Sequence, residues 1–135
     1  MVIIAIPSMN DGGLNDFLNP RFGRCPCFTF IELENKEVTA VKIINNVATN
    51  SMGGAGIQAA QIVGENKADT VIINFLGPNA IQALKSFNIK IFELRNDKIS
   101  IKDVLDLYNK GELAEINASN VNSHFGTNKN ITNPN

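Results

Sequence analysis

Both cysteines of the chain, Cys25 and Cys27, fall in the stretch NPRFGRCPCF at residues 19–28, separated by Pro26 and preceded by Arg21 and Arg24. Opening a β-strand, side chains two positions apart share one face with α-carbons roughly 6.5 Å apart, so two thiolates could address one ligand. A disulfide over that spacing would be strained. The two guanidinium groups would stabilise thiolates or an anionic ligand. Two sulfurs fall short of the four protein ligands of a closed zinc site. A soft metal suits them better, above all a preformed cluster that carries its own sulfides. Cys25 and Cys27 are therefore candidate metal ligands. The competing reading makes them small half-buried residues at a strand start, a common place for free cysteine. Another alternative is a thiol-dependent redox protein using Cys25, although the pair is not CxxC and the single histidine, His124, lies near the C-terminus.

A second stretch with chemical potential is the glycine-bearing loop VATNSMGGAG at residues 47–56. Its continuation GAGIQA matches the dinucleotide pattern G-x-G-x-x-G/A only formally. Residues 48–53 separate the glycines from the preceding strand, and the next strand ends IINF without a ribose-binding acid, so neither NAD nor FAD is expected. What survives is general: glycine allows close backbone approach, and N–H groups at a helix start attract anions. Gly77, before the helix opened by Pro78, offers a weaker version of the same arrangement. A phosphate-bearing small molecule at Gly53–Gly56, bound by a regulatory module, is thus a further alternative. Glycines acting only in turns is the plain one. Metal-dependent nuclease chemistry would require converging carboxylates. The first strand has none, and Asp11 and Asp16 sit in a turn-rich segment.

The elements that must position these loops follow from pattern. Residues 2–6 are an aliphatic run ended by Pro7, as in a strand buried on both faces. Residues 8–20 form a long Gly/Asn/Asp-rich loop, of the kind that often carries function. CFTFIELE and EVTAVKIIN read as a hairpin joined at Asn35-Lys36. A short helix IQAAQIVGE, the strand TVIINF and a helix starting at Pro78 follow, the last with Ala80, Ile81, Ala83, Leu84 and Phe87 on one face. The strand IKIFEL comes next. Ser100 and Asp103 then suggest a capped helix with Ile101, Val104, Leu105 and Tyr108 as its stripe, stopped by Gly111. This predicts one α/β domain over residues 1–116, a mixed five-stranded sheet with an antiparallel hairpin at one side and parallel strands at the other. Residues 117–135, with seven asparagines, predict a flexible tail.

The net charge of −1 and 19% charged residues give no general attraction for nucleic acid. The N-terminus lacks a basic flank and a run long enough for a signal peptide or membrane span, so a cytoplasmic, non-membrane protein with reduced thiols is expected. Nothing demands a particular oligomer, leaving a monomer or a weak homo-oligomer paired at the hairpin edge.

Taken in order, NPRFGRCPCFTFIELE, GGAGIQAAQIV, TVIINFLGPNAIQALKSFNIKIFEL and VLDLYNKGEL resemble the dinitrogenase iron-molybdenum cofactor biosynthesis family, over about residues 1–116. The resemblance implies a ribonuclease H-like fold without nuclease chemistry. It further implies a non-enzymatic protein that binds or carries a molybdenum- or iron-containing metal-sulfur cluster, with cluster donor and recipient proteins as partners. The implied cofactor-binding residues are Arg21, Phe22, Gly23 and Arg24 with Gly53, Gly54 and Gly56. Nitrogenase-associated relatives often carry histidine where this chain has Arg21, and many simpler relatives have an aromatic residue at the position of Cys27.

Overall fold

The computed structural model describes residues 1–50, 53–96 and 98–116. Their order is β1 (Val2–Ser8), β2 (Cys27–Glu34), β3 (Glu37–Asn45), α1 (Ala55–Glu65), β4 (Thr70–Ile73), α2 (Pro78–Ser86), β5 (Lys90–Glu93), α3 (Ile101–Asn109) and β6 (Ala114–Ile116). The strands make one mixed sheet ordered β3-β2-β1-β4-β5-β6. β1 is antiparallel to β2 and parallel to β4, and β4 is parallel to β5. The expected ribonuclease H-like mixed sheet is therefore present, with six strands instead of five. β6 was not anticipated. It has only three residues, and it is a strand because β5 offers an edge on which Ile116 pairs opposite Ile91.

Strand alternation divides the core between the two faces. Ala5, Phe28, Phe30, Val71, Ile73 and Ile91 meet α1 and α2 through Ala59, Ala60, Val63, Ile81 and Leu84. Ile4, Ile6, Ile31, Leu33 and Ile72 meet α3 through Ile101, Val104 and Leu105. The result is a sheet between two helical layers. Local signals are satisfied as the residue types dictate. Asn35 and Lys36 both have positive φ, 51° and 69°, as a two-residue type I′ hairpin turn requires. Pro78 occupies the first turn of α2, and the Ser100 side chain accepts a hydrogen bond from the Asp103 N–H at 3.1 Å. β1 runs on through Pro7 to Ser8, because β4 pairs only with Ile4 and Ala5 and leaves that end of the β4 side outside the ladder.

One topological point sets the site. From β1 the chain winds outward to β2 and β3, then crosses back to β4 on the other side of β1 and proceeds to β5. Outward winding reverses between β1 and β4, and in open α/β sheets ligands bind outside the carboxyl ends of the strands at such a place. The segments that follow β1 and β4 are where function is to be sought. The predicted tail and His124 lie outside the described residues.

Candidate functional site: a cationic cleft at the carboxyl ends of the parallel strands

Arg21 to Cys27 does not simply open β2. Residues Phe22–Arg24 form a 3₁₀ turn, Cys25 caps it with extended backbone (φ −69°, ψ 149°) before Pro26, and β2 begins only at Cys27. The buried Phe22 ring anchors the turn against Phe28 with centroids 5.3 Å apart. Asn46, buried at the end of β3, staples it. Its amide Nδ2 donates to the carbonyls of Cys25 at 2.9 Å and Gly23 at 3.3 Å, and its Oδ1 accepts from the Ala48 N–H at 3.0 Å. Asn46 is a positioning residue that the sequence reading did not single out. The available signal was a polar residue just after a strand and just before the glycine loop.

Gly23 lets this turn meet the start of α1. A Cβ there would lie 2.9 Å from the Gly56 nitrogen and 3.1 Å from the Ala55 carbonyl carbon. Gly56 in turn lets α1 approach α2, since a Cβ on it would lie 3.2 Å from that of Ala80. Gly54 caps α1 with φ 70°, a left-handed conformation that favours glycine. On the far side, Arg21 pairs with Phe75 in an isolated parallel bridge, which ties the turn to the loop leaving β4.

These contacts enclose an open cleft of about 370 Å³ lined by Arg21, Phe22, Gly23 and Arg24, the start of α1 at Gly56, and the β4–α2 loop at Phe75, Leu76 and Gly77. Among the described residues no carboxylate lines it. Two arginines and the N-terminal turns of α1 and α2 therefore act on the same space with the same sign of potential. Of the expected cofactor-binding residues, Arg21, Phe22, Gly23, Arg24 and Gly56 come together here. Gly53 is exposed beside it and Gly54 supplies the cap, but neither lines the cleft. Phe75, half exposed, also lines the cleft, and sequence reasoning did not single it out.

The cysteines are placed differently from the same-face expectation. Cys25 belongs to the core beneath α1, with Phe22, Phe28 and Ala48. Its Sγ donates to the Phe22 carbonyl at 3.3 Å. Cys27 follows the alternation of Thr29, Ile31 and Leu33 on the opposite face of β2, and its Sγ donates to the Asn10 carbonyl at 3.4 Å. Because Cys25 precedes the strand, the period-two rule does not apply to the pair. Both are almost wholly buried, 0% and 3% exposed, and neither lines the cleft. Among the described residues, no three His, Cys, Asp or Glu side chains gather around one point.

Burial pushes the Cys25 thiol up to about 12, against the opposing effect of the Asn46 amide. Cys27 is raised as well, by burial and then by the Asp16 charge. A catalytic thiolate at Cys25 finds no support in these surroundings. In native protein at pH about 8, iodoacetamide is expected to modify Cys25 about three orders of magnitude more slowly than an ordinary thiol. Mass spectrometry should find both cysteines labelled promptly only in denaturant; fast labelling of Cys25 in native protein would contradict its burial.

Asp16 secures the loop that covers Cys27. Its carboxylate accepts the N–H groups of Asn10 at 2.8 Å, Gly12 at 2.8 Å and Phe17 at 2.7 Å, and the Asn10 amide at 3.0 Å. Burial alone would raise this acid, but the hydrogen bonds outweigh it and hold it below its ordinary value of 3.8. Because the folded value is depressed, the stabilisation is fully present above pH 3.8 and is lost as pH falls through the lower folded value. Asp16→Asn should therefore lower the melting temperature near neutrality and flatten its decline in acid. Equal acid slopes for the two proteins would remove Asp16 from this role.

Comparison with known proteins fits this architecture. The model of the dinitrogenase iron-molybdenum cofactor family matches residues 1–111. An uncharacterized protein of Methanocaldococcus jannaschii is 32% identical over 99 residues, 73% of this chain and 82% of its own length. The apo form of the orange protein from Desulfovibrio gigas superposes with a TM-score of 0.78 at 26% identity, covering 86% of this chain and 93% of its own. A Thermotoga NifB-like protein shares the fold with a TM-score of 0.70 at 23% identity, over 85% of this chain and 93% of its own. The family model spans residues 1–111, most of the chain, and the chain belongs to the dinitrogenase iron-molybdenum cofactor family.

Proposed function

We propose that the protein binds and carries an anionic metal-sulfur cluster containing molybdenum or iron, as a non-enzymatic cytoplasmic step between a cluster donor and a recipient. The observation that carries this reading is the cleft itself: Arg21, Arg24 and the first turns of two helices face about 370 Å³ with no carboxylate among the described residues that line it. Such a site favours a compact polyanion, which guanidinium groups and backbone N–H groups hold through charge-assisted hydrogen bonds. The apolar Phe75 and Leu76 suit sulfide, which is more weakly hydrated than oxide. Family membership supports a metallocluster as the ligand class, and the apo description of the orange protein supports a ligand-binding role among relatives of this fold. Among the described residues no helix is long and apolar enough to cross a membrane.

Within this proposal the first contacts are those of charge and backbone. Gly53 and Gly54 shape the loop that presents α1. Ligation by Cys25 or Cys27 belongs to a state in which residues 21–27 have moved, since both sulfurs are buried in the resting fold.

The deciding experiment is anaerobic purification from metal-replete cells, with Fe, Mo, Cu and S measured beside the visible spectrum. A parallel titration of apo-protein with tetrathiomolybdate, and with ATP, is followed by thermal shift. Stoichiometric metal and sulfide with a melting temperature raised by tetrathiomolybdate are expected. A colourless protein stabilised only by ATP would replace the cluster reading with a phosphate-ligand module. A Cys25→Ser, Cys27→Ser double variant should keep the tetrathiomolybdate shift yet release bound metal faster to a chelator. Unchanged release would remove the thiols from the site.

A further inference from the structure

A second cavity opens on the other face of the same sheet edge. It has a volume of about 530 Å³ and is built from the segments that follow β1, β4 and β5, so it too lies beyond the carboxyl ends of the parallel strands. Pro20 lines both cavities, and the consecutive residues Asn74 and Phe75 line one each. The two are therefore neighbours with different chemistry.

The second cavity combines apolar side chains with side-chain amides. Met9 and Phe17 are 45% and 42% exposed, and both line it. Asn10, Asn74 and Asn96 bring three amides. The Asn10 Nδ2 is spent on Asp16. Asn74 is half-buried directly after β4, and among the described residues its amide takes no hydrogen bond. Lys98 is the sole charged residue among the described residues that line it. The Phe17 wall is held in place by backbone: the Met9 N–H donates to the Phe17 carbonyl at 3.1 Å, and Phe17 bridges Ser100 at the start of α3.

We infer that this cavity is a second ligand site, for a planar heteroaromatic molecule with an amide-type edge and an acidic substituent. The ring would lie between Met9 and Phe17, where a thioether and an aromatic face both favour a flat polarisable partner. The side-chain amides match a neighbouring N–H and C=O on the ring, because each offers a donor and an acceptor in one plane. Lys98 pairs with the acid. A volume of this size lies within the roughly 300–1,000 Å³ typical of small-molecule sites. Among the described residues the cluster cleft is lined by no side-chain amide and this cavity by no arginine, so the two sites sort ligands by chemistry.

The test is a titration of the full-length protein, followed by backbone amide resonances, with three probes: guanosine 5′-monophosphate, guanosine and inorganic phosphate. The nucleotide is expected to shift Met9, Phe17, Asn74 and Lys98, with guanosine weaker at the same residues and phosphate alone silent there. Phe17→Ala changes an exposed ring and should weaken the nucleotide about tenfold, in line with the worth of one base stacked on an aromatic side chain. Lys98→Gln should abolish the advantage of the nucleotide over guanosine and leave guanosine unchanged. The inference is overturned if the nucleotide leaves these resonances still at about 1 mM, if it shifts only the Arg21–Gly56 cleft, or if Phe17→Ala has no effect.

Discussion

Replacing Arg21 and Arg24 together by glutamine is expected to weaken tetrathiomolybdate binding by about 30- to 100-fold. A hydrogen bond to a charged group contributes about 1.5–3 kcal/mol when shielded. Both arginines are exposed, so the pair is discounted for solvent to about 2–3 kcal/mol in total. That energy corresponds to the stated loss at about 1.4 kcal/mol per tenfold. Binding by the parent protein should also weaken steeply with salt, because exposed charges are screened within about 10 Å at 0.1 M ionic strength, and the double variant should lose most of that dependence. Calorimetric titration at two ionic strengths measures both effects. Arg24 makes contacts of its own within the fold, so a thermal melt must accompany the titration. Glutamine at Lys42 and Lys67, exposed and outside the cleft, gives the control for general charge. If the control loses as much affinity as the arginine pair, the cleft is not where the anion sits.

Gly23→Ala is expected to destabilise the fold by about 1–3 kcal/mol, the usual cost of forcing a methyl group into a filled space. The new carbon would meet the Gly56 nitrogen at 2.9 Å, the Ala55 carbonyl carbon at 3.1 Å and the Gly56 α-carbon at 3.2 Å. All three are backbone atoms, so no rotamer change relieves the contact, and the turn must part from the start of α1. The melting temperature should fall by about 5 °C or more. Because that junction forms one wall of the cleft, anion affinity should fall with it. Gly77→Ala gives the comparison: its φ is −76° and nothing lies within 4 Å of the added carbon. There the stability change should stay within about 0.5 kcal/mol. Equal melting temperatures for the two variants would mean that Gly23 is not the contact point between turn and helix.

These two glycines also mark how far the sequence could be read. Gly23 and Gly77 are both glycine next to a candidate anion site, and nothing in the chain distinguishes the one packed on backbone from the one facing open space. Only the approach of α1 to the 3₁₀ turn separates them. The Asn35-Lys36 turn, Pro78 at the start of α2 and the Ser100 cap were legible because each depends on a few consecutive residues and their own φ and hydrogen-bonding preferences. β6 was not, because its pairing energy comes from the edge of β5 and its own three residues carry little strand signal.

By itself, then, the sequence determined the helices and all strands but β6, the mixed character of the sheet and the clustering of glycine and arginine, since periodicity, turn chemistry and charge are local properties of the chain. The tertiary structure alone decided that Cys25 and Cys27 lie on opposite sides of the sheet and away from solvent, because a 3₁₀ turn and Pro26 intervene before the strand begins. It also decided that the segments after β1 and β4 meet in one arginine-lined cleft, with an amide-bearing cavity next to it. That meeting follows from winding order, which brings distant segments together at the point where the sheet reverses direction.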